Sequence, residues 1–420
     1  MDAVTWSKFL VLLIFIGCYA LALSRKVKLA YASLGASALL VIFGFITIQD
    51  ALFKAIKWDV LGIYWGFMMV SFVFMQSKMP DLISQKILAN VKSEKYAILS
   101  LSVVTAFLSA FMENVGVVLM MAPVAIMTAK KLGSSLFPYM VAIAISSNVV
   151  TTVTMVADPP SIILAMETGM KPLDFYWFQQ RPGLGTLTVI GVMVAFLVLL
   201  FQFRHMNKTV DVVPQEINAT KGATVLFVLG VAALALLPEY GITPGIVGLT
   251  AGIIALWMGR REIKEMLWEF DWDSFLFIVG IFVVIYSLQS SGLLKDFARL
   301  TVSAGIQSPA LLLAFITWIS VLFSSFMDNV PYTILMIPVC QNLASVIDIS
   351  PWALLYGMLV GTGIGGNITP VGASANVFAC GVLQKNGYKI NAFEYMKISL
   401  PFSVIAVAAV HLLVQLIWLN

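Results

Sequence analysis

The sequence predicts an all-α polytopic membrane protein: about ten full transmembrane helices and two re-entrant helical hairpins, arranged as two inverted-topology repeats with broken helices. Three observations predict it. Of 420 residues, 60% are hydrophobic and 11% charged, against roughly 25% charged in an ordinary soluble domain; with a mean hydropathy of +0.96, this excludes a water-soluble fold. Apolar runs of about 15 to 20 residues recur along the whole length, each comparable at about 1.5 Å per residue with a hydrocarbon core of roughly 30 Å. A set of motifs in the first half returns in the second at a constant offset.

The apolar runs span 6–23, 29–48, 58–75, a double-length run 97–128, 136–166, 184–203, 222–237, 241–258, 274–288, a second double run 309–346, 352–382 and 398–419. Between them, 204–221 is the one long polar connection, carrying Arg204, His205, Lys208, Asp211, Glu216 and Lys221. The chain therefore divides into a first repeat (1–203, hairpin about 97–128, broken helix about 136–166), a cytoplasmic linker (204–221) and a second repeat (222–420, hairpin about 309–346, broken helix about 352–382). Near the N-terminus, Lys8, an apolar run and Ala20-Leu21-Ala22 resemble a signal peptide, but Arg25, Lys26 and Lys28 follow at once and read as the cytoplasmic flank of a retained helix.

The repeat is specific. Phe111-Met112-Glu113-Asn114-Val115 returns as Phe326-Met327-Asp328-Asn329-Val330, and Pro123 as Pro338, both at an offset of 215. The same offset lays 156–161 on 371–376, and Trp58-Asp59 returns as Trp272-Asp273 at 214. If each double run is a hairpin that enters and leaves on one side, each half has five full crossings, so the halves must be inverted. Both termini outside places 18 Lys and Arg in cytoplasmic segments and 7 outside, the expected bias for a cell inner (plasma) membrane. The first hairpin then dips in from the cytoplasm and the second from outside, where Ser345 and Val346 stand in place of Lys130 and Lys131. Internal repeats with broken helices are a transporter signature, with the site where the halves meet.

Glu113-Asn114 and Asp328-Asn329 lie midway along double-length apolar runs. A carboxylate at bilayer depth costs about 2.5–3.5 kcal/mol on insertion scales, so these acids read as functional. At a hairpin tip Asn114 and Asn329 can cap opened helix ends or contact a substrate. The second pair of segments holds Ser147, Asn148, Thr151, Thr152 and Asp158 in one half and Thr362, Asn367, Thr369, Ser374 and Asn376 in the other, amid glycines and prolines that predict an unwound middle. Close helix packing is the rival explanation of the glycines. Asp158 falls opposite Ala373, so only one half carries a carboxylate there. Asp158 is the first choice as carrier of the coupling proton or cation, then Asp328, then Glu113.

All six arginines, Arg25, Arg181, Arg204, Arg260, Arg261 and Arg299, fall in loops or flanks, and no lysine lies near the motifs in sequence. Without a cationic clamp, multiply charged anions are disfavoured, although helix N-termini can hold anions by their dipoles. The small net charge of +4 and scattered basic residues give no reason to expect nucleic-acid binding. Cys18, Cys340 and Cys380 show no redox or metal spacing, His205 and His411 have no ligand company, and methionines such as Met112, Met120, Met121 and Met155 read as packing, so no cofactor or metal is expected beyond the coupling ion, H⁺ or Na⁺.

On the two acid-Asn-Val hairpin motifs, Asp158-Pro159-Pro160 and Gly372-Ala373-Ser374-Ala375-Asn376, the chain resembles the ion transporter superfamily of ArsB/NhaD-type arsenite permeases, the melanosomal P-protein and citrate-type permeases. The resemblance spans nearly the whole chain. It departs from the family's Gly-Asp-Pro-Pro-Asn at Ala157 and Ser161. What it implies is a scaffold and a moving transport domain holding both hairpins and both broken helices, working as an elevator. It also implies a choice of arsenite or antimonite extruded against protons, Na⁺/H⁺ exchange, or Na⁺-coupled carboxylate transport.

Arsenite, largely an uncharged trihydroxide at neutral pH, suits hydroxyl and amide oxygens with a membrane acid for the proton, so proton-coupled arsenite or antimonite efflux is the preferred expectation. A channel would be expected to form its pore between chains or through charged rings. An intramembrane enzyme would need a nucleophile and base that are missing near the acids, so no enzyme is expected. Membrane lipid surrounds the chain; a homodimer and an accessory ATPase subunit are open as protein partners.

Overall fold

Long runs of Leu, Val, Ile, Ala and Phe can satisfy their backbone polar groups at bilayer depth only as helices, and the chain is nearly all helix. The computed structural model describes residues 3–24, 27–88, 91–156, 158–209, 217–303, 308–327 and 329–419. Among them twenty α-helices follow in order: α1 Ala3–Ser24, α2 Leu29–Ile42, α3 Ile48–Asp50, α4 Trp58–Gln76, α5 Met79–Leu88, α6 Glu94–Ser109, α7 Asn114–Lys131, α8 Phe137–Asn148, α9 Pro159–Thr168 and α10 Leu184–Gln202, then α11 Gly222–Leu236, α12 Pro244–Met258, α13 Ile263–Glu269, α14 Trp272–Ser290, α15 Leu293–Ser303, α16 Pro309–Ser324, α17 Asn329–Val346, α18 Trp352–Gly365, α19 Ser374–Lys385 and α20 Ala392–Trp418.

Six are long and apolar enough to cross a membrane: α4, α7, α10, α11 with its extension to Tyr240, α14 and α20. Others are apolar but shorter, among them α2, α12, α16 and α18. The shortening has local causes. Gly44 adopts φ +72° and Phe45 N donates to Leu40 O at 3.0 Å, a left-handed close that stops α2 at Ile42, short of the end of its apolar run. The first double run divides into α6 and α7 and the second into α16 and α17, and non-helical segments separate α8 from α9 and α18 from α19. Residues Tyr139–Asn148 of α8 and Ala353–Gly365 of α18 are buried throughout, so the broken helices form the centre of the molecule.

Two of the three most extensive helix pairs join the halves: α4 packs on α12 and α14 on α2. Each pairing is clasped by the repeated Trp-Asp motif. Asp59 Oδ1 accepts from Gly245 N (2.9 Å) at the start of α12, and Asp273 accepts from Leu29 N (3.3 Å) and Ala30 N (3.2 Å) at the start of α2. A carboxylate on a helix N-terminus satisfies its free N–H groups and its dipole. Backbones approach closely along α4–α12; a Cβ at Gly62 would lie 2.6 Å from Gly245 O, which is why glycines line that seam.

The described part of the linker straps the base of the first hairpin. Lys95 N donates to Met206 O and Glu94 N to Lys208 O, both 2.9 Å, while Lys208 Nζ donates to Leu132 O (3.1 Å) and Gly133 O (2.8 Å) at the end of α7. A cation on the last carbonyls of a helix is favourable.

Candidate functional site

The two hairpin turns and the two unwound segments meet around a cavity of about 90 Å³. Five helices begin at its wall, α7, α9, α14, α17 and α19, so five positive dipole ends lie at a small space. Glu113 is the N-cap of α7 and accepts from Gly116 N at 2.8 Å. Asp158 is the N-cap of α9, followed by Pro159 in the position where a missing N–H costs nothing. Ala373 is the N-cap of α19 with nearly the same backbone, φ −141° and ψ 149° against −146° and 141° for Asp158, but with a methyl group in place of the carboxyl. Asp328 lies outside the described residues, as does Ala157.

Of the candidates from the sequence, Glu113, Asn114, Asn148, Asp158, Asn329 and Ser374 line the cavity. The other described candidates stand behind its wall, all but Thr151 with hydrogen bonds inside the protein. Ser147 Oγ donates to Ala144 O (2.8 Å), Thr362 Oγ1 to Met358 O (2.8 Å), Thr369 Oγ1 to Ser325 O (2.5 Å), and Thr152 Oγ1 pairs with Thr188 Oγ1 (2.8 Å). Thr151 Oγ1 is buried without a hydrogen-bond partner and sits where a Cβ on Gly363 would fall. Asn367 and Asn376 join Asn148 in a buried cluster: Asn148 Nδ2 donates to both Oδ1 atoms at 2.9 Å, Asn367 Nδ2 to Ile145 O (3.0 Å), and Asn376 Nδ2 to Gly366 O and Thr369 O (2.9 Å each). The cluster bolts α8 to α18 and α19 across the halves.

Asp271 and Ser274, which are not among the candidates from the sequence, also line the cavity. Asp271 caps α14, accepting from Ser274 N at 3.0 Å and Ser274 Oγ at 2.5 Å; its one sequence signal is the acid on either side of Trp272. Two cavities of about 480 Å³ each adjoin. One shares Glu113, Ser71 and Met68 with the central cavity; the other shares Gly372, Ala373 and Ser374 and is bordered by Lys28. The sequence places no lysine near the motifs, but packing of α2 on α14 carries Lys28, the N-cap of α2, to that side.

Residues 19–361 match the family model CitMHS, described as citrate transporter. The chain belongs to the CitMHS citrate transporter family. An uncharacterized transporter of Mycobacterium tuberculosis is 28% identical over 403 residues, covering 91% of this chain and 92% of that protein. The P protein of Mus musculus is 25% identical over 481 residues, 92% of this chain and 58% of that protein. Among solved structures the fold is similar to the YdaH transporter of Alcanivorax borkumensis, with a TM-score of 0.65, 14% identity and 97% of each chain covered. It is also similar to MtrF of Neisseria gonorrhoeae, which belongs to a class of antimetabolite efflux pumps, with a TM-score of 0.59, 12% identity, and 90% and 83% covered. This CitMHS member is thus a multi-pass membrane protein and a secondary transporter, not an enzyme. Within the resemblance drawn from the sequence, these matches name the citrate-type permease and the P protein and do not single out the arsenite permeases.

Proposed function

We propose that the protein exports arsenite or antimonite in exchange for protons by alternating access, with the solute in the central cavity and Asp158 carrying the proton. One observation carries this reading: the cavity of about 90 Å³ is lined by Glu113, Asp158 and Asp271 and, among the described residues, by no lysine or arginine. Sites for larger organic ligands run to about 300–1,000 Å³, so the space fits a small trihydroxide or an ion. Asn114, Asn148, Asn329 and Ser374 supply its polar contacts. The two repeats, 1–203 and 222–420, act as inverted halves, with hairpins and broken helices moving together past the α2–α14 and α4–α12 frame in an elevator-like step. In this reading both termini lie outside the inner membrane. The buried oxygens of Ser109, Asn114 and Thr151, which have no hydrogen-bond partner, are the place for a coupling cation if sodium replaces the proton.

A second reading, cation-coupled transport of a small carboxylate, is favoured by the uncapped N-terminus of α19 and by Lys28 on the adjoining cavity; a substrate carboxylate would take the place that Asp158 fills in the first half. Everted vesicles given arsenite and a proton gradient separate the readings. Accumulation that disappears in Asp158→Asn supports arsenite efflux. Absence of arsenite accumulation together with citrate-driven or sodium-driven proton movement moves the assignment to the second reading or to Na⁺/H⁺ exchange.

A further inference from the structure

Away from the site, an apolar cavity of about 550 Å³ lies between α1, α15 and the second hairpin. Ile16, Ala20, Phe315, Ile319 and Leu335 form much of its wall, and α15 contributes Phe297. Two tyrosines border it with their hydroxyls engaged: Tyr19 donates to Pro331 O at 2.6 Å, and Tyr332 pairs with Ser320 Oγ at 3.0 Å. A cavity without polar partners does not hold water and takes apolar matter. Ile16, Phe297 and Phe315 are about half exposed, at 52%, 51% and 44%, so the cavity opens on the face that a membrane-spanning chain turns to acyl chains.

The helix that supplies Phe297 is two-sided. Leu294 is buried, whereas Lys295 and Arg299, one turn apart, are exposed. Asp296 is engaged by Lys8 at 2.5 Å, and among the described residues no carboxylate lies within ion-pair distance of Lys295 or Arg299. An apolar slot and an unneutralised pair of cations thus sit on opposite faces of one short helix, which is the geometry of a helix lying at the membrane surface.

We propose that this cavity and α15 bind one anionic phospholipid, with an acyl chain in the slot and the phosphate on Lys295 and Arg299. An acyl chain in the bilayer is already out of water, so filling the slot gives no preference among lipids. The preference comes from the headgroup, and two cations near a membrane surface favour an anionic over a zwitterionic lipid by roughly tenfold or more. Phe323, Met327 and Tyr332 also border the slot, so the bound chain touches the second hairpin on either side of its turn.

The test is native mass spectrometry of the purified full chain titrated with phosphatidylglycerol or phosphatidylcholine. The native protein retains one phosphatidylglycerol with roughly tenfold preference. Lys295→Gln with Arg299→Gln loses the preference, and Ala20→Trp, which fills the slot, loses retention; Ile16→Trp serves if Ala20→Trp does not fold. Equal retention of the two lipids by the native protein, or unchanged phosphatidylglycerol retention in the charge variant and the folded slot variant, overturns the proposal.

Discussion

In both halves a threonine of the unwound segment donates to the carbonyl at the end of the first hairpin arm, Thr154 to Ala110 and Thr369 to Ser325. In both halves the third residue of the next helix holds a carbonyl of that segment, Ser161 Oγ to Thr151 O at 2.6 Å and Asn376 Nδ2 to Gly366 O at 2.9 Å. Every one of these positions is related by 215. The halves diverge one step further in. In the second half the Ser324 hydroxyl lies 2.6 Å from both Asn329 Oδ1 and Thr362 O; in the first, the equivalent Ser109 Oγ and Asn114 Oδ1 are buried without hydrogen-bond partners. The backbone scaffold of the repeat is therefore kept, while the polar atoms in the crevice are closed on themselves on one side and open on the other. Buried polar atoms without partners are costly, and under the proposed function the first half, which also holds Asp158, is the half that binds the coupling proton or cation.

The largest effect should come from erasing the difference. Ala373→Asp places a second acid at the N-cap of α19, in the cavity with Asp158 and Glu113, and should reduce solute accumulation in vesicles to the level of membranes without the protein. Next, Asn148→Ala leaves the Oδ1 atoms of Asn367 and Asn376 without their shared donor, at about 1–3 kcal/mol for each buried orphan; detergent-solubilised protein should melt several degrees lower. Ser324→Ala should cost about 1–2 kcal/mol, whereas Ser109→Ala, which breaks no hydrogen bond, should stay within about 0.5 kcal/mol. Equal losses in that pair of melting curves would refute the asymmetry. Smallest and matched, Thr154→Val and Thr369→Val should each cost about 1 kcal/mol, and a large disparity would mean that the repeat is not mechanically equivalent there.

Much of this architecture is legible in the sequence because hydrophobic run length and a repeated acid-Asn-Val motif are local signals. The nearly all-helical, membrane-crossing class is what those signals decide. The short helices α5, α13 and α15 escaped because they sit in mixed polar connections, too short and too charged to stand out as spans. The exchange of α4 onto α12 and α2 onto α14 escaped for another reason: Trp58-Asp59 and Trp272-Asp273 reveal that two places are alike, not that Asp59 reaches Gly245 or Asp273 reaches Leu29. Within the site, irregular backbone erases the periodicity that would tell which side of a segment faces inward. Asn148 and Asp158 therefore proved to face the cavity while Thr152 and Thr362, alike in the sequence, turn to Thr188 and Met358.

The central claim, that the first half carries the coupling charge on Asp158, is tested most directly by proton movement in lightly buffered vesicles when arsenite is added, for native protein and for an Asp158→Asn variant shown to melt at the same temperature. Native protein should show proton flux with arsenite, and the variant should show arsenite movement down its own gradient without protons. Undiminished arsenite-driven proton flux in Asp158→Asn would contradict it.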